Sequence, residues 1–492
     1  MKNTTLFAVL AIVPVLSSCT SFGGEGTQIS RSVGACAADA VHSRHSVVTT
    51  DGRLNYDACA GTLTVRGPGG DAMADLFYTA YFADRGANGE GGERPLAFVW
   101  NGGPGADSRL LHFSAMGPRI VEDGVLIDNP DTPLRSADLV FLDPAGTGFS
   151  RASSQEAANA LYGTVGDIDA TARFIAQFRR TYAQENAPLY LIGESFGTWR
   201  ASGTAEALAD AGTKVAGIGL ISGGIPLGEE PDQALSRALS LPNRTAAALM
   251  LNRLDPELQA QGQAAVDAAA DWARTVWYPA LADPSSLSAE QRMQVAADLA
   301  RYHGMELSQI DTETLWVSPR DFRSGLIPSR MLDVFDMRRV RQGQGAFIAG
   351  DDADDNAIIA YYRNGLHYRA GTYAGIEAPA IPVGEGWQYD QSPITERSLA
   401  RAMAGEGPPS PSQPWTLRAM QKMPAMRTHV AAGLYDSLNS CLANEARVST
   451  LPPGVRDRIA LHCYPGGHMM YDTPAIRKVF NANLESFLTD AP

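Results

Sequence analysis

Residues 189–197 read Leu-Tyr-Leu-Ile-Gly-Glu-Ser-Phe-Gly, and this stretch decides the architecture. Four apolar residues run directly into Gly193-Glu194-Ser195-Phe196-Gly197, a G-x-S-x-G element, and a helix-compatible stretch follows. A short apolar run fits a strand buried on both faces. The flanking glycines permit a tight turn that presents the serine hydroxyl to a cleft. Similar runs end in Gly- or Pro-rich loops at Leu96–Trp100, Leu139–Leu142 and Val215–Ile221. Between 142 and 189, Ile168, Ala172, Ile175, Phe178 and Tyr182 recur at helical spacing, with charges such as Asp169 and Arg179 between them. Strand, helix, strand is the grammar of an α/β fold with a mostly parallel, doubly wound sheet, whose functional groups sit beyond the carboxyl ends of strands.

Working outward, the pattern 54–83 alternates around a Gly-Pro-Gly-Gly turn at 67–70 and predicts antiparallel strands. From 226 to 400 the chain becomes Ala-rich and helical, and conspicuous strand runs vanish. They resume at His429–Leu434 and Arg458–His462, so 226–400 reads as a helical cap region inserted into one core, formed by 46–225 and 401–492. GEGPPSPSQP at 405–414 reads as a linker returning to that core. At 45% hydrophobic and 19% charged residues, the composition is that of a folded globular protein. A net charge of -14 without any basic run argues against nucleic-acid binding.

At the amino end, Lys2 precedes the apolar run Leu6–Leu16, which is short for a membrane span and suits a signal-peptide core. The run ends in Leu16-Ser17-Ser18-Cys19, which resembles a bacterial lipobox. The expectation is a signal peptide over 1–18, lipidation at Cys19 and a tether over 19–45. The protein is then exported and held in the cell envelope by its lipid alone, at the outer membrane facing the periplasm, because Thr20 rather than an aspartate follows the cysteine. Cys36, Cys59, Cys441 and Cys463 remain, an even number suited to two disulfides. Three connectivities are open, and Cys36–Cys59 with Cys441–Cys463 is the simplest. No Cys-x-x-Cys or His/Cys cluster suggests a metal, and no cofactor is expected.

A serine hydroxyl needs a base to become a nucleophile, and the base needs an orienting carboxylate. With 48 glycines in the chain, G-x-S-x-G arises readily by chance, so context carries the reading. Asp436 follows the run HVAAGL, and His468, one of eight histidines, follows RIALH through Tyr-Pro-Gly-Gly. Ser195, Asp436, His468 is the chain order of an α/β-hydrolase triad, each member beyond a strand end. The tetrahedral intermediate also needs oxyanion donors. Gly103, in Trp100-Asn101-Gly102-Gly103-Pro104-Gly105, and Phe196, after the nucleophile, are the candidate backbone donors.

WNGGPG (100–105), FLDPAGTGFS (141–150), GESFG, GLYDSLNSC (433–441) and GGHMMYD (466–472) together resemble the serine carboxypeptidases, peptidases of α/β-hydrolase fold, in the family's order. The resemblance covers about residues 50–225 and 429–475. It implies Ser195 as nucleophile, His468 as base and Asp436 as its orienter. It further implies that Asn101 and Glu194 bind the carboxylate of a peptide substrate with a free C-terminus. Two positions depart from the family's pattern: Ala115 stands where a second glutamate is expected, and Ala106 where a cysteine is. An esterase or acyltransferase would use the same triad, and Ala115 gives that alternative room. A catalytically silent, lipid-anchored binding protein is the third reading, opposed by the intact triad.

Overall fold

The computed structural model describes residues 36–84, 94–342, 352–390 and 413–490. The expected signal peptide, Cys19 and most of the linker at 405–414 lie outside these residues.

Nine strands carry the main sheet: β1 (Val41–Thr49), β2 (Gly52–Arg66), β3 (Ala72–Ala83), β4 (Leu96–Trp100), β5 (Asp138–Leu142), β6 (Leu189–Glu194), β7 (Gly217–Ile221), β8 (Arg427–Gly433) and β9 (Ile459–Tyr464). Their order is β1-β2-β3-β5-β4-β6-β7-β8-β9, and the short strand Arg151–Ala152 also pairs with β3. β1, β2, β3 and β5 pair antiparallel. From β5 onward every neighbour is parallel. This is the mostly parallel α/β sheet expected from the apolar runs. All residues of β4, β5, β6 and β7 are buried, as strands covered on both faces require.

The helix Thr164–Thr181 buries Ile168, Phe174, Ile175 and Phe178. Each such side chain contributes about 1.5–3 kcal/mol on leaving water, so packing holds this helix more than propensity does. It is joined to the helix Gly197–Asp210 by a buried ion pair, Arg200 Nε to Asp167 Oδ2 at 2.7 Å.

The tether expected through residue 45 ends earlier, because β1 begins at Val41 and pairs with β2 from Val41–Ala60 to Thr49–Gly52. Val47 packs wholly inside the core, and a disulfide from Cys36 to Cys59 fastens the approach to β1. With its few apolar residues spaced widely among Ser, His and Arg, β1 shows no strand pattern until β2 supplies its partner.

Between β7 and β8 the described residues hold the helices Gln233–Ala238, Leu241–Met250, Gln263–Trp272, Ala289–His303 and Pro319–Gly325, among others. They share an apolar core around Trp277, Leu299 and Phe322, into which Tyr435 also reaches. One two-stranded ladder interrupts the helices, Met331–Leu332 against Val340–Arg341. Strands of two residues are too short to leave a periodic signal in sequence.

Candidate active site

Register brings the candidate residues to one end of the sheet. Trp100 stands opposite Gly193, Ile221 opposite both Glu194 and Ala431, and Gly433 opposite Tyr464. Asn101, Ser195, the loop 434–436 and the loop 465–468 therefore leave neighbouring strands at the same carboxyl edge, where such sheets bind ligands.

Ser195 turns the chain from β6 into the helix Gly197–Asp210 with φ +57°, the left-handed conformation of a strained strand-to-helix turn. Its amide donates to the Ile221 carbonyl at 2.8 Å, and its carbonyl accepts from Thr198 N and Oγ1 at 3.0 and 2.9 Å. The turn closes so tightly that a Cβ on Gly193 would lie 2.0 Å from the Gly197 carbonyl oxygen. Ser195 is half-buried, while Glu194 and Phe196 on either side are buried.

Asp436 and His468 meet. His468 Nδ1 and Asp436 Oδ2 are 2.8 Å apart, and both side chains are buried. The carboxylate is held from two further sides: Leu438 N donates to Oδ1 at 2.9 Å and Asn439 Nδ2 to Oδ2 at 2.8 Å. Asn439 Nδ2 also donates to the Ser222 carbonyl at 2.7 Å, and Ser222 Oγ donates to the His468 carbonyl at 2.6 Å. His468 Nε2 is buried without a hydrogen-bond partner, so Ser195 and His468 are not hydrogen-bonded in this structure. Burial lowers the imidazole pKa, but the charge and hydrogen bond of Asp436, with the Glu194 charge, outweigh it and hold the group above its ordinary value.

Gly102 seats the glycine-rich loop on the serine turn. A Cβ there would lie 2.5 Å from both the Phe196 amide nitrogen and the Glu194 carbonyl oxygen. Among the described residues, neither the Gly103 nor the Phe196 amide donates a hydrogen bond. The Phe196 side chain is walled by aromatic rings, with Trp199, Trp387 and Tyr389 centred 5.4, 5.3 and 6.1 Å away.

Glu194 is buried and accepts a hydrogen bond from the Tyr471 hydroxyl at Oε2. Burial pushes its carboxyl up to about 7, against the pull of His468 and the Tyr471 hydroxyl and with the push of Asp472 and Asp436. Burial, with the Glu194 charge next, holds Tyr471 well above the ordinary phenol value, so it remains a donor. Asn101 is buried as well. Its Oδ1 accepts from Leu111 N at 3.0 Å, and its Nδ2 is buried without a partner. Ala115 is buried, and its carbonyl accepts from Asn129 and Asn481 at 3.0 and 2.9 Å. Tyr471 and Asn439 escaped the sequence reading, although each lies within three residues of His468 or Asp436 in the segments GGHMMYD and GLYDSLNSC.

The second disulfide joins Cys441, at the start of the helix Cys441–Ser449, to Cys463 in β9. Both bridges link cysteines adjacent in sequence order, the simplest of the three connectivities.

The family model for serine carboxypeptidase matches residues 50–214. Serine carboxypeptidase S10 family member 1 of Dictyostelium discoideum is 29% identical over 126 residues, 25% of this chain and 29% of that protein. Serine carboxypeptidase-like 36 of Arabidopsis thaliana is 31% identical over 110 residues, 22% of each. Carboxypeptidase sxa2 of Schizosaccharomyces pombe is 30% identical over 132 residues, 25% of each. The chain thus spans 22–29% of the length of these curated relatives. Among solved structures, a prohormone-processing carboxypeptidase from Saccharomyces cerevisiae superposes with a TM-score of 0.51 at 15% identity, covering 87% of this chain and 90% of that one. Asp436 and His468 lie beyond the matched segment. Over residues 50–214 the chain is similar to the serine carboxypeptidases, and it has an α/β-hydrolase fold.

Proposed function

We propose that this chain is a serine carboxypeptidase that hydrolyses C-terminal peptide bonds through an acyl-enzyme. Ser195 Oγ attacks the scissile carbonyl while His468 Nε2 takes its proton, and Asp436 orients the imidazole and stabilises its charged form. The amides of Gly103 and Phe196 donate to the developing oxyanion. The imidazolium then protonates the leaving amine, and water, deprotonated by His468, releases the acyl group. The helices between β7 and β8 serve as the cap over this edge.

The observation that carries the exopeptidase reading is the buried Glu194 carboxyl beside Ser195, held by Tyr471 with its pKa pushed up to about 7. A protonated carboxyl donates to a substrate carboxylate, whereas an ionised one repels it. Asn101 Nδ2, buried and unpartnered, supplies a second donor to the same carboxylate.

Ala115 favours a second reading, an esterase or acyltransferase on the same triad, since one carboxyl group of the family's pattern is missing there. A fluorophosphonate probe tests for an activated serine. A panel of blocked dipeptides with free or amidated C-termini, set beside matched esters, separates the two readings. Cleavage of esters and amidated peptides as fast as free acids would replace carboxypeptidase by esterase.

The two disulfides support an exported protein, and no described helix is long and apolar enough to cross a membrane. The proposed anchor is lipid on Cys19, placing the enzyme at the outer membrane facing the periplasm. Metabolic labelling with a fatty-acid analogue tests this against a Cys19→Ala variant. A processed protein without label would leave a plain secretory signal.

A further inference from the structure

The ladder formed by Met331–Leu332 and Val340–Arg341 belongs to the stretch between β7 and β8, yet its tip reaches both loops that carry Asp436 and His468. Toward the first loop, the Val334 carbonyl accepts from Ser437 N and Oγ at 3.4 and 2.6 Å, and Met337 N donates to the Tyr435 carbonyl at 2.9 Å. These contacts bracket Asp436 on both sides in the chain. Toward the second loop, the Phe335 carbonyl accepts from His468 N at 2.6 Å. The Phe335 ring lies against the imidazole, centroids 4.9 Å apart and planes at 49°. A Cβ on Gly467 would lie 2.6 Å from the Phe335 carbonyl oxygen, so the loop approaches the tip as closely as only glycine allows.

The tip is itself cross-braced. Buried Asp333 accepts from Phe335 N and Asp336 N at 2.8 and 3.1 Å and pairs with Arg341 at 3.2 Å. Arg338 grips Asp336 with Nε and Nη2 at 2.9 and 2.7 Å. Its Nη1 reaches over to donate to the Pro465 carbonyl at 3.2 Å, and its guanidinium stacks 4.7 Å above the Tyr435 ring. One arginine thereby touches both loops.

We propose that the 331–341 hairpin is a positioning clamp that sets the Asp436 and His468 loops against each other, with Phe335 holding and shielding the imidazole. The proposal rests on the triad reading above. Phe335 acts through His468 and is a positioning residue, not a catalytic one. The charged groups facing the imidazole are Asp436 and Glu194. The clamp's own charges are taken up elsewhere, Asp336 by Arg338 and Arg339, and Arg339 also by Asp472. Removing the ring admits water to the imidazole, relieving the burial that opposes its protonation, so the acid limb of reactivity moves to higher pH.

The test is the rate of fluorophosphonate labelling against pH for the full chain and for Phe335→Ala, Phe335→Leu, Arg338→Ala and His468→Ala, with thermal midpoints alongside. Phe335→Ala is expected to slow labelling about tenfold or more, the scale of a misplaced catalytic group, and to move the acid limb upward. Phe335→Leu is expected to recover much of the rate and return the limb. Lost stability alone lowers the midpoint without moving the limb. Unchanged rate and limb in Phe335→Ala, with His468→Ala unreactive, overturns the clamp and leaves the triad standing. Wild-type labelling by His468→Ala overturns the triad reading and the clamp with it. Should Phe335→Ala fail to fold, Arg338→Ala decides: slower labelling at retained fold supports the clamp, and an unchanged rate overturns it.

Discussion

Asp436 Oδ2 lies 2.8 Å from His468 Nδ1, while the opposite ring nitrogen, Nε2, is buried with no hydrogen-bond partner. In the proposed triad, one side of the imidazole is committed to orientation and the other is left to chemistry. Replacing Asp436 by Asn substitutes a neutral partner that no longer selects the same tautomer. Asp436→Asn is expected to lower kcat about 10⁴-fold with the fold retained. Steady-state kinetics beside circular dichroism check this, and near-normal turnover would remove Asp436 from the triad.

Ser195→Ala and His468→Ala should each abolish turnover and fluorophosphonate labelling, and the double variant should be no worse than either, because the members of the proposed triad would act as one unit. Additive losses would show that they act independently.

Peptide hydrolysis and ester hydrolysis should diverge with pH. In the proposed mechanism both require neutral His468, so both fall as the pH drops through an imidazole value held above the ordinary 6.5. Under the proposed recognition, a free carboxylate also requires protonated Glu194, so peptide activity alone should fall as the pH rises through about 7. The peptide profile is then a narrow bell, and the ester profile keeps only its acid limb. Glu194→Gln donates at every pH and should flatten the alkaline loss. Superimposable profiles in kcat/KM, unchanged in the Gln variant, would take Glu194 out of recognition.

The same group links stability to pH. Its folded pKa of about 7 stands above the ordinary 4.5, so the folded state binds the extra proton between these values. Stability therefore declines as pH rises from 4.5 through 7, by up to about 3 kcal/mol. Glu194→Gln has no such proton to lose. Its denaturant midpoint should exceed that of the wild type at pH 8 by more than at pH 5, and an equal difference at both would contradict the burial cost.

The Cys441–Cys463 bridge closes 22 residues between the Asp436 loop and the strand leading to His468. Loop-closure entropy for that length is worth about 3 kcal/mol. A Cys441→Ser, Cys463→Ser double variant should lose about that much in urea unfolding without reductant. No change would mean that the native sheet, which already pairs β8 with β9, constrains the loops by itself.

The sequence by itself determined the local parts of this molecule. Steric periodicity and turn chemistry act over a few residues, so the apolar run before Ser195, its glycine-flanked turn and the helix after it were all legible. So were the loops after β8 and β9 that carry Asp436 and His468, because each follows a short apolar strand. The β1 strand was not, since its mixed residues become a strand only through pairing with β2. Tertiary structure decided the contacts that no motif or spacing announced. Tyr471 reaches Glu194 across 277 residues of chain, and Phe335 reaches His468 from a hairpin too short for any periodicity. The elevated Glu194 pKa belongs to that second kind, because desolvation depends on everything packed around the carboxyl group, and no local stretch of sequence encodes its surroundings.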